Sequence, residues 1–245
     1  MRITRAFVAA ALAPGTELAL PEHAANHLAR VLRLQPGDAC VLFNGDGHDY
    51  PSRITAVGKR EVRARVEAQV AVERESPLRL VLLQGVARGE KMDLILQKAT
   101  ELGVSAIHPL FSERSEVRLD EARAEKRLAH WRQVVASACE QCGRARVPDV
   151  AAPVPLTEAL AALPADTAGL LLEPDGPHSL RALAHDMTRP LALAVGPEGG
   201  WSPRDREQLR AAGFAGLRLG PRVLRTETAG LAAIAALQAR FGDWG

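Results

Sequence analysis

Two short loops near the end of the chain carry residue types that could perform chemistry. One is residues 196–200, Gly-Pro-Glu-Gly-Gly, and the other is residues 220–228, Gly-Pro-Arg-Val-Leu-Arg-Thr-Glu-Thr. They follow the apolar runs 191–195 and 217–219, which are too short for helices and are typical of buried strands. Each loop then leads into a helix. The pattern predicts that both loops lie at the carboxyl edge of one sheet, where open α/β sheets bind ligands.

The charged side chains of these loops could stabilise an anion or move a proton. Arg225 stays protonated, so it is a poor proton acceptor but a good stabiliser of a forming anion. Glu198 and Glu227 could orient that arginine or accept the proton, and the glycines let a ligand approach the backbone closely. The alternative interpretation is a pair of tight turns braced by a salt bridge between Arg225 and one of the glutamates.

Helix signals support the placement of both loops. Ser202 is a good N-cap, Pro203 suits the first helical position, Asp205 completes a capping box, and Gly213 ends the helix. A second helix is predicted from about residue 226 to residue 240. Two strand-loop-helix units therefore follow each other along the chain.

Three other motifs favour no site of their own. Residues 85–91 resemble a phosphate loop only loosely, because their spacing is neither that of a P-loop nor that of the dinucleotide fingerprint. Cys139 and Cys142 form a C-x-x-C pair that lacks the second ligand pair of a zinc site, and we interpret Cys142 as a buried thiol beside a polar edge. His23 and His27 have helical spacing but no third ligand nearby, so no metal site is predicted.

The composition is ordinary for a soluble globular protein: 245 residues, 47% of them apolar and 24% charged, with a net charge of +2. Residues 60–65 and 126–146 are locally basic, which would suit an RNA or phosphate surface but is also common on solubilising faces. No apolar run reaches the length of a membrane span. The N-terminal residues 1–14 are interpreted as a first strand rather than a signal peptide, which indicates a cytoplasmic protein. Three cysteines do not indicate a disulfide framework.

A composition change divides the chain into two predicted domains. Residues 1–72 contain short strands and one helix, which suggests a small β-barrel. Their predicted strands are 5–8, 17–20, 39–43, 50–57 and 61–70, with a helix at 21–32. The polar stretch 72–77 ends in proline and is the predicted linker. Residues 73–245 alternate strands and helices, which predicts a parallel sheet covered on both faces. The strands predicted there are 78–86, 106–111, 169–172, 191–195 and 217–219.

Several motifs together resemble one known family over almost the whole chain. The motifs are His-Leu-Ala-Arg-Val-Leu-Arg at 27–33, Arg-Gly-Glu-Lys-Met at 88–92, Gln-Lys-Ala-Thr-Glu-Leu-Gly at 97–103, Pro-Leu-Phe-Ser-Glu-Arg at 109–114, Ala-Cys-Glu-Gln-Cys-Gly-Arg at 138–144, and the two loops described above. They resemble the RsmE family of bacterial 16S ribosomal RNA (uracil-N3)-methyltransferases, within the SPOUT, or trefoil-knot, superfamily.

The resemblance implies a fold, a cofactor and a set of site residues. The fold would be α/β, with a SPOUT-type parallel sheet threaded into a trefoil knot and preceded by a PUA-like RNA-binding barrel. S-adenosylmethionine would lie across three loops. Its predicted binding residues are Leu172, Glu173, Pro174, Gly196, Pro197, Glu198, Gly199, Gly200, Leu219, Gly220, Pro221 and Leu224. The protein would be a homodimer.

The implied reaction is formation of N3-methyluridine in the decoding region of the small-subunit RNA. Arg225, Glu198 and Glu227 are the predicted catalytic residues. The predicted RNA-binding residues are Arg30, Arg33, Arg88, Lys91, Arg114, Arg144, Arg146 and Arg222. Two alternatives stay open, a non-catalytic RNA-binding protein of the same fold and a dehydrogenase. The intact loops disfavour the first, and the missing dinucleotide fingerprint disfavours the second.

Overall fold

The computed structural model describes residues 4–59, 61–117 and 119–244. The start of the N-terminal segment and position 60 of the first basic stretch lie outside these ranges. The chain forms two units. The first contains Met1–Glu75 and Ala136–Val147, and the second contains Ser76–Val135 and Pro148–Gly245. The predicted division at residue 72 stays a prediction.

The first unit is built on one six-stranded sheet. Its strands are β1 (Arg5–Phe7), β2 (Glu17–Ala19), β3 (Ala39–Phe43), β4 (His48–Val57), β5 (Val62–Val66) and β6 (Val70–Ala71). The strand order is β1-β3-β4-β5-β2, and β6 pairs with β4. A short helix, α1 (Glu22–Ala25), continues as a π-helical turn over Asn26–Val31.

Alternation of apolar and charged residues explains how this sheet covers its core. In β5 the side chains of Val62, Ala64 and Val66 are buried, while the two arginines between them face outward and pair with Glu17 of β2. We predicted one strand over 61–70, and the structure ends it at Val66. The N–H groups of residues 67 and 68 turn to the carbonyl of Pro51, and this interrupts the ladder.

The last turns of a long helix, α3 (Glu121–Cys142), pack within the first unit. Arg5 donates hydrogen bonds to the carbonyls of Cys139 (2.8 Å) and Arg144 (3.1 Å). Cys139 is fully buried and Cys142 only half-buried, so the prediction that Cys142 is the buried thiol is wrong. A hydrogen bond with Cys142, together with burial, raises the pKa of the Cys139 thiol.

The second unit is a parallel α/β sheet of eight strands. They are β7 (Leu80–Gly85), β8 (Ala106–Phe111), β9 (Asp149–Val150), β10 (Val154–Pro155), β11 (Ala168–Leu172), β12 (His178–Ser179), β13 (Leu191–Val195) and β14 (Phe214–Arg218). Their order is β10-β8-β7-β13-β11-β14-β12, with β9 beside β8. Every pairing is parallel. All five strands predicted for this part of the chain are present.

The helices of the second unit lie between these strands along the chain, except for the last helix, which follows the last strand. They are α2 (Glu90–Glu101), the first part of α3, α4 (Leu156–Ala161), α5 (Pro203–Ala211) and α6 (Thr226–Phe241). The capping box of α5 is present as predicted: Ser202 accepts from the Asp205 N–H at 3.0 Å, and Asp205 accepts from the Ser202 N–H at 2.9 Å. In the ranges that the structure describes, no helix combines the length and apolar character needed to cross a bilayer.

Candidate functional site

The two C-terminal loops and the end of β11 meet at one cavity. β11 lies between β13 and β14 in the sheet, so parallel pairing brings the carboxyl ends of all three strands to the same edge. The cavity encloses about 570 Å³ and lies wholly within the second unit. Of the predicted cofactor residues, only Pro221 is absent from its lining. A volume of this size is typical of small-molecule sites.

A chain of hydrogen bonds fixes the base of the cavity. The amide of buried Gln84, at the end of β7, donates to the Thr226 hydroxyl at 3.1 Å, and that hydroxyl donates to the Gly196 carbonyl at 2.5 Å. The contacts join β7, the loop after β13 and the first turn of α6. A Cβ atom on Gly85 would lie 2.5 Å from the backbone nitrogen of Pro197, so the strand and the loop approach as closely as glycine allows.

Replacing Thr226 by valine is expected to loosen this base. The change removes the donor to Gly196 and leaves the Gln84 amide with the Gly85 carbonyl as its remaining acceptor, which costs roughly 1 to 3 kcal/mol of unfolding free energy. Urea unfolding measures this loss, and titration calorimetry should show weaker S-adenosylmethionine binding. Thr226→Ser is the matched control, because it keeps the hydroxyl. An equal loss in both variants would show that packing of the methyl group, not hydrogen bonding, matters here.

Two loop positions require glycine for conformational reasons. Gly200 and Gly220 have φ angles of +66° and +83°, in the left-handed region that side chains with a Cβ atom disfavour. Gly199 is different, because an added Cβ would lie 2.9 Å from the carbonyl oxygen of Arg114. The group that approaches Gly199 closely is therefore the Arg114 backbone, a part of the protein itself.

Glu198 is held by the loop that precedes α2. Its Oε1 atom accepts from the N–H of Arg88 at 3.1 Å and from Nζ of Lys91 at 3.2 Å. Partial burial raises the pKa of this carboxyl, but the hydrogen bonds from Arg88, from its own N–H and from Lys91 outweigh burial and hold the pKa below its usual value. The motif at 85–91 thus anchors Glu198, and the carboxylate is a weak base.

Glu227 and Arg225 also line the cavity, but their charged groups are not held by partners from the described ranges as the Glu198 carboxylate is. Glu227 lies in the first turn of α6, and its Oε2 atom is buried without a hydrogen-bond partner among the described residues. The exposed Arg225 precedes that helix and forms no ion pair with any described residue. The salt bridge between Arg225 and a glutamate, our alternative interpretation of these loops, is therefore absent from the described part of the chain.

Glu173 contributes to the cavity differently from the loop glycines. Its carboxylate is buried and accepts from Nη2 of Arg210 at 2.9 and 3.0 Å, with Nε of Arg206 at 3.8 Å. These contacts tie the end of β11 to α5. Because both oxygens face arginines of the protein, the Glu173 side chain braces the cavity and leaves ligand contacts to the neighbouring backbone.

The predicted RNA-binding residues fall into separate groups. Lys91, Arg114 and Arg222 line the cavity. Arg88 is exposed and pairs with Glu116. Arg30, Arg33 and Arg146 are exposed on the first unit. Among the described residues other than glycine, Arg33 alone has a positive φ, at 59°, where the π-helical turn ends.

Arg144 does not have the exposure that a phosphate contact needs. It is buried and donates to both carboxylate oxygens of Glu75, through Nε at 3.2 Å and Nη2 at 2.5 Å. Gly143 turns the chain after α3, and its carbonyl accepts from Nη1 of Arg74 at 3.1 Å. Arg144 therefore holds together segments of the first unit that lie far apart along the chain, and we no longer count it among the RNA contacts.

Replacing Arg144 by methionine is expected to destabilise the fold. Loss of the guanidinium leaves the Glu75 carboxylate without its partner, at a cost of roughly 2 to 4 kcal/mol, below the usual cost for a fully buried pair because Glu75 is partly exposed. Thermal or urea unfolding measures the change. Arg146→Met, on an exposed neighbour, is the control and should unfold like the unaltered protein. Unchanged stability of Arg144→Met would instead favour the RNA contact first predicted.

Sequence reasoning missed Trp201 and Arg206 among the residues that line the cavity, and it missed Gln84, which hydrogen-bonds to the lining residue Thr226. Gln84 is the one polar side chain in the buried strand β7, and that interruption of an apolar run was a usable signal. Trp201 and Arg206 each have a buried side-chain nitrogen without a hydrogen-bond partner among the described residues. Their positions depend on the capping of α5 and could not be read from spacing. No group of three or more possible metal ligands occurs in the described ranges.

Comparison with known proteins defines the family. An RNA methyltransferase domain matches residues 74–238, and an RNA methyltransferase PUA domain matches residues 20–67. Ribosomal RNA small subunit methyltransferase E of Buchnera aphidicola (strain Sg) is 31% identical over 242 residues, which cover 99% of this chain and 98% of that protein. The chain belongs to the ribosomal RNA small subunit methyltransferase E family.

Two solved structures that are similar to this chain have the same fold. A crystal structure of the Neisseria gonorrhoeae enzyme bound to S-adenosyl methionine is 40% identical, covers the whole of both chains and has a TM-score of 0.94. A putative methyltransferase from Legionella pneumophila, solved with bound S-adenosyl methionine, is 37% identical, covers 99% of this chain and all of that one, and also has a TM-score of 0.94. The α/β fold class with an N-terminal PUA domain is confirmed.

Proposed function

We propose that this protein transfers a methyl group from S-adenosylmethionine to N3 of a specific uridine in the decoding region of 16S ribosomal RNA. The observation that carries the proposal is a cavity lined by both Glu227 and Arg225. The Oε2 atom of Glu227 has no hydrogen-bond partner among the described residues, and Arg225 forms no ion pair with any of them. The family supports the reaction class, since its members are named as small-subunit ribosomal RNA methyltransferases. The position of the target uridine rests on the resemblance alone.

The cavity fits S-adenosylmethionine by size and by chemistry. Leu172, Leu219 and Leu224 supply apolar surface for the adenine ring. The glycines at 196, 199 and 200 expose backbone groups that can hydrogen-bond to adenine and ribose. We therefore assign the three cofactor loops to this ligand. When bound, it supplies an electrophilic methyl group carried on a sulfonium.

The harder part of the reaction concerns the uracil base. N3 carries a proton at neutral pH and lies on the pairing edge, so the base must leave its stack and enter the cavity. Glu227 then accepts the N3 proton through its free Oε2 atom. Arg225 stabilises the negative charge that develops on the ring as the proton leaves. Transfer of the methyl group to N3 neutralises that charge and breaks the methyl–sulfur bond, whose electron pair stays on the sulfur. Glu198, already bound by Lys91 and Arg88, positions the glycine loop.

RNA binding is assigned to exposed cations of both units. Arg30, Arg33 and Arg146 on the first unit can contact phosphates, as can Arg222 at the cavity, whereas the half-buried Lys91 is paired with Glu198. Contacts of this kind make affinity fall with salt and carry little sequence information. The protein acts in the cytoplasm, where the small ribosomal subunit is found.

A homodimer accounts for one unusual feature of α6. Leu237 and Ala233 are buried on one side of this helix. The stripe formed by Leu231, Ala235 and Ala239 on its other side is also apolar, with Ala239 exposed and the other two half-buried. A helix that is apolar all round normally buries both sides. A second copy of the chain would cover the exposed side, and sedimentation at micromolar concentration tests this.

Methyl transfer onto ribosomal subunits tests the proposed function. Small subunits from a strain that lacks this gene are incubated with the protein and labelled S-adenosylmethionine, and the modified base is mapped. We expect one N3-methyluridine in the small-subunit RNA. Label on another base or another RNA, with the cofactor bound normally, would reject the substrate while leaving the cofactor assignment intact. Subunits that already carry the modification are the control and should accept no label.

A further inference from the structure

A second cavity adjoins the cofactor cavity. It encloses about 500 Å³ and is lined by residues of β12, of the 3-10 turn Leu180–Ala182 that follows it, of β14 and of α6. Leu219, Gly220, Arg222 and Leu224 line both cavities, so residues 219–224 form a shared wall. The reaction proposed above makes no use of this second space.

Three arginines face the second cavity: Arg181, Arg218 and Arg222. All three are exposed, and no guanidinium among them has an ion pair or hydrogen bond with a described residue. No carboxylate occurs among the described residues that line the cavity. A concave surface with three uncompensated cations has a focused positive potential and attracts anions.

The fold fixes the backbone of these arginines while their side chains stay available. Arg218 ends β14 and is paired in register with Ser179 of β12. The carbonyl of Arg181 accepts from Nη2 of Arg240 at 3.1 Å, and the Leu183 carbonyl accepts from the same atom at 2.7 Å. The end of α6 thus anchors the turn that carries Arg181. Each guanidinium carries a planar fork of donors that suits phosphate, whose oxygens can accept two parallel N–H bonds from it.

We propose that the second cavity binds backbone phosphates of the RNA strand next to the target base, through Arg181 and Arg218. The identity of this polyanion rests on the proposed function. A second copy of the chain suits the cavity poorly, because a protein surface seated there would have to bring carboxylates to three cations. A strand of RNA carries a negative charge at every nucleotide and meets that requirement along its whole length. The shared wall lets a base enter one cavity while its neighbouring phosphates occupy the other.

The test uses the full-length protein and a single-stranded fragment of small-subunit RNA. Arg181→Gln/Arg218→Gln removes both cations and leaves Arg222, which also lines the cofactor cavity, in place. Each neutralised phosphate makes the slope of log affinity against log salt more negative by about 0.7. The double variant should therefore have a slope that is less negative by about 1.4, and its RNA binding at 0.1 M salt should be roughly 25-fold weaker. Affinity for S-adenosylmethionine should not change.

Arg189→Gln/Arg204→Gln is the matched control, since it also removes two positive charges, from exposed positions of the second unit that line neither cavity. The proposal would be overturned if Arg181→Gln/Arg218→Gln had the same salt slope as this control. It would also be overturned if that variant lost RNA binding only together with a change in its sedimentation, which would indicate altered assembly. Competition by pyrophosphate distinguishes a general phosphate site from one that requires an RNA strand. At equal concentrations of phosphate groups, pyrophosphate should not displace the RNA. Failure of the unaltered protein to methylate subunits would reject the proposed function alone, because the salt slope is measured without turnover.

Discussion

The Glu227→Gln variant is expected to methylate RNA 10²- to 10⁴-fold more slowly in a single turnover, the range that general-base catalysis contributes. Glutamine keeps the shape of the side chain but cannot accept the N3 proton. The Oε2 atom is already desolvated and has no hydrogen-bond partner in the described part of the chain, so the change breaks no hydrogen bond of this atom there. Binding of the cofactor and of RNA should stay within a few-fold. The rate is measured with both substrates saturating.

The pH profile separates this role from a structural one. In the Glu227→Gln variant the uracil must lose its N3 proton to solvent. The methylation rate of this variant should therefore rise as the pH approaches the alkaline range where free uracil ionises. A merely structural defect gives a uniform loss across that range and would reject the assignment. Glu207→Gln, on the exposed face of α5, is the control and should methylate at the unaltered rate.

Glu198→Gln should behave differently, because its carboxylate is engaged by Arg88 and Lys91. A low pKa and two donors make it a poorer proton acceptor than a free carboxylate. Loss of the negative charge on residue 198 should loosen the loop and raise the cofactor dissociation constant. The methylation rate at saturating cofactor should change less. The two glutamates, which the sequence left equivalent, are thus distinguished by their contacts.

Local patterns were enough to predict most of the fold. The strands Ala39–Phe43, Ala106–Phe111 and Leu191–Val195 have the predicted bounds, because each is an apolar run ended by a turn residue or a charge. The last strand begins earlier than predicted, at Phe214, whose ring packs on Gly169 in place of a side chain there. That contact crosses between strands far apart in the chain, and spacing alone cannot reveal it.

The candidate site was predicted in outline but not in its connections. The carboxyl-edge rule places the loops after β13 and β14 together, and the described cavity lies there. The bond between Lys91 and Glu198 joins residues 107 positions apart, and the one between Gln84 and Thr226 joins residues 142 positions apart. Such pairs depend on strand order. For the same reason, the inclusion of Ala136–Val147 in the first unit was not foreseen, and removing residues 1–72 would strip these helix turns of their packing.

Arg225 gives the second large effect that we expect. Arg225→Ala should lower the single-turnover rate by roughly 10² to 10³, the loss seen when one donor to a developing oxyanion is removed. The interaction exists mainly in the transition state, so cofactor and RNA affinity should change little. The side chain has no ion pair with a described residue, and its removal should leave the melting temperature unaltered.

Arg225→Lys provides the decisive comparison. Lysine retains the positive charge but lacks the planar fork of donors, so it should recover only part of the lost rate. Addition of guanidinium ion to Arg225→Ala should also restore some turnover, because the cavity is open to solvent where the exposed side chain was removed. A role in bracing the loop predicts another pattern: cofactor affinity or melting temperature drops first, turnover follows it, and guanidinium restores nothing. A near-normal rate for Arg225→Ala at saturating cofactor and RNA would end the catalytic assignment. The charge on the uracil ring would then have to be stabilised by Arg222, which also lines this cavity and whose guanidinium has no ion pair or hydrogen bond with a described residue.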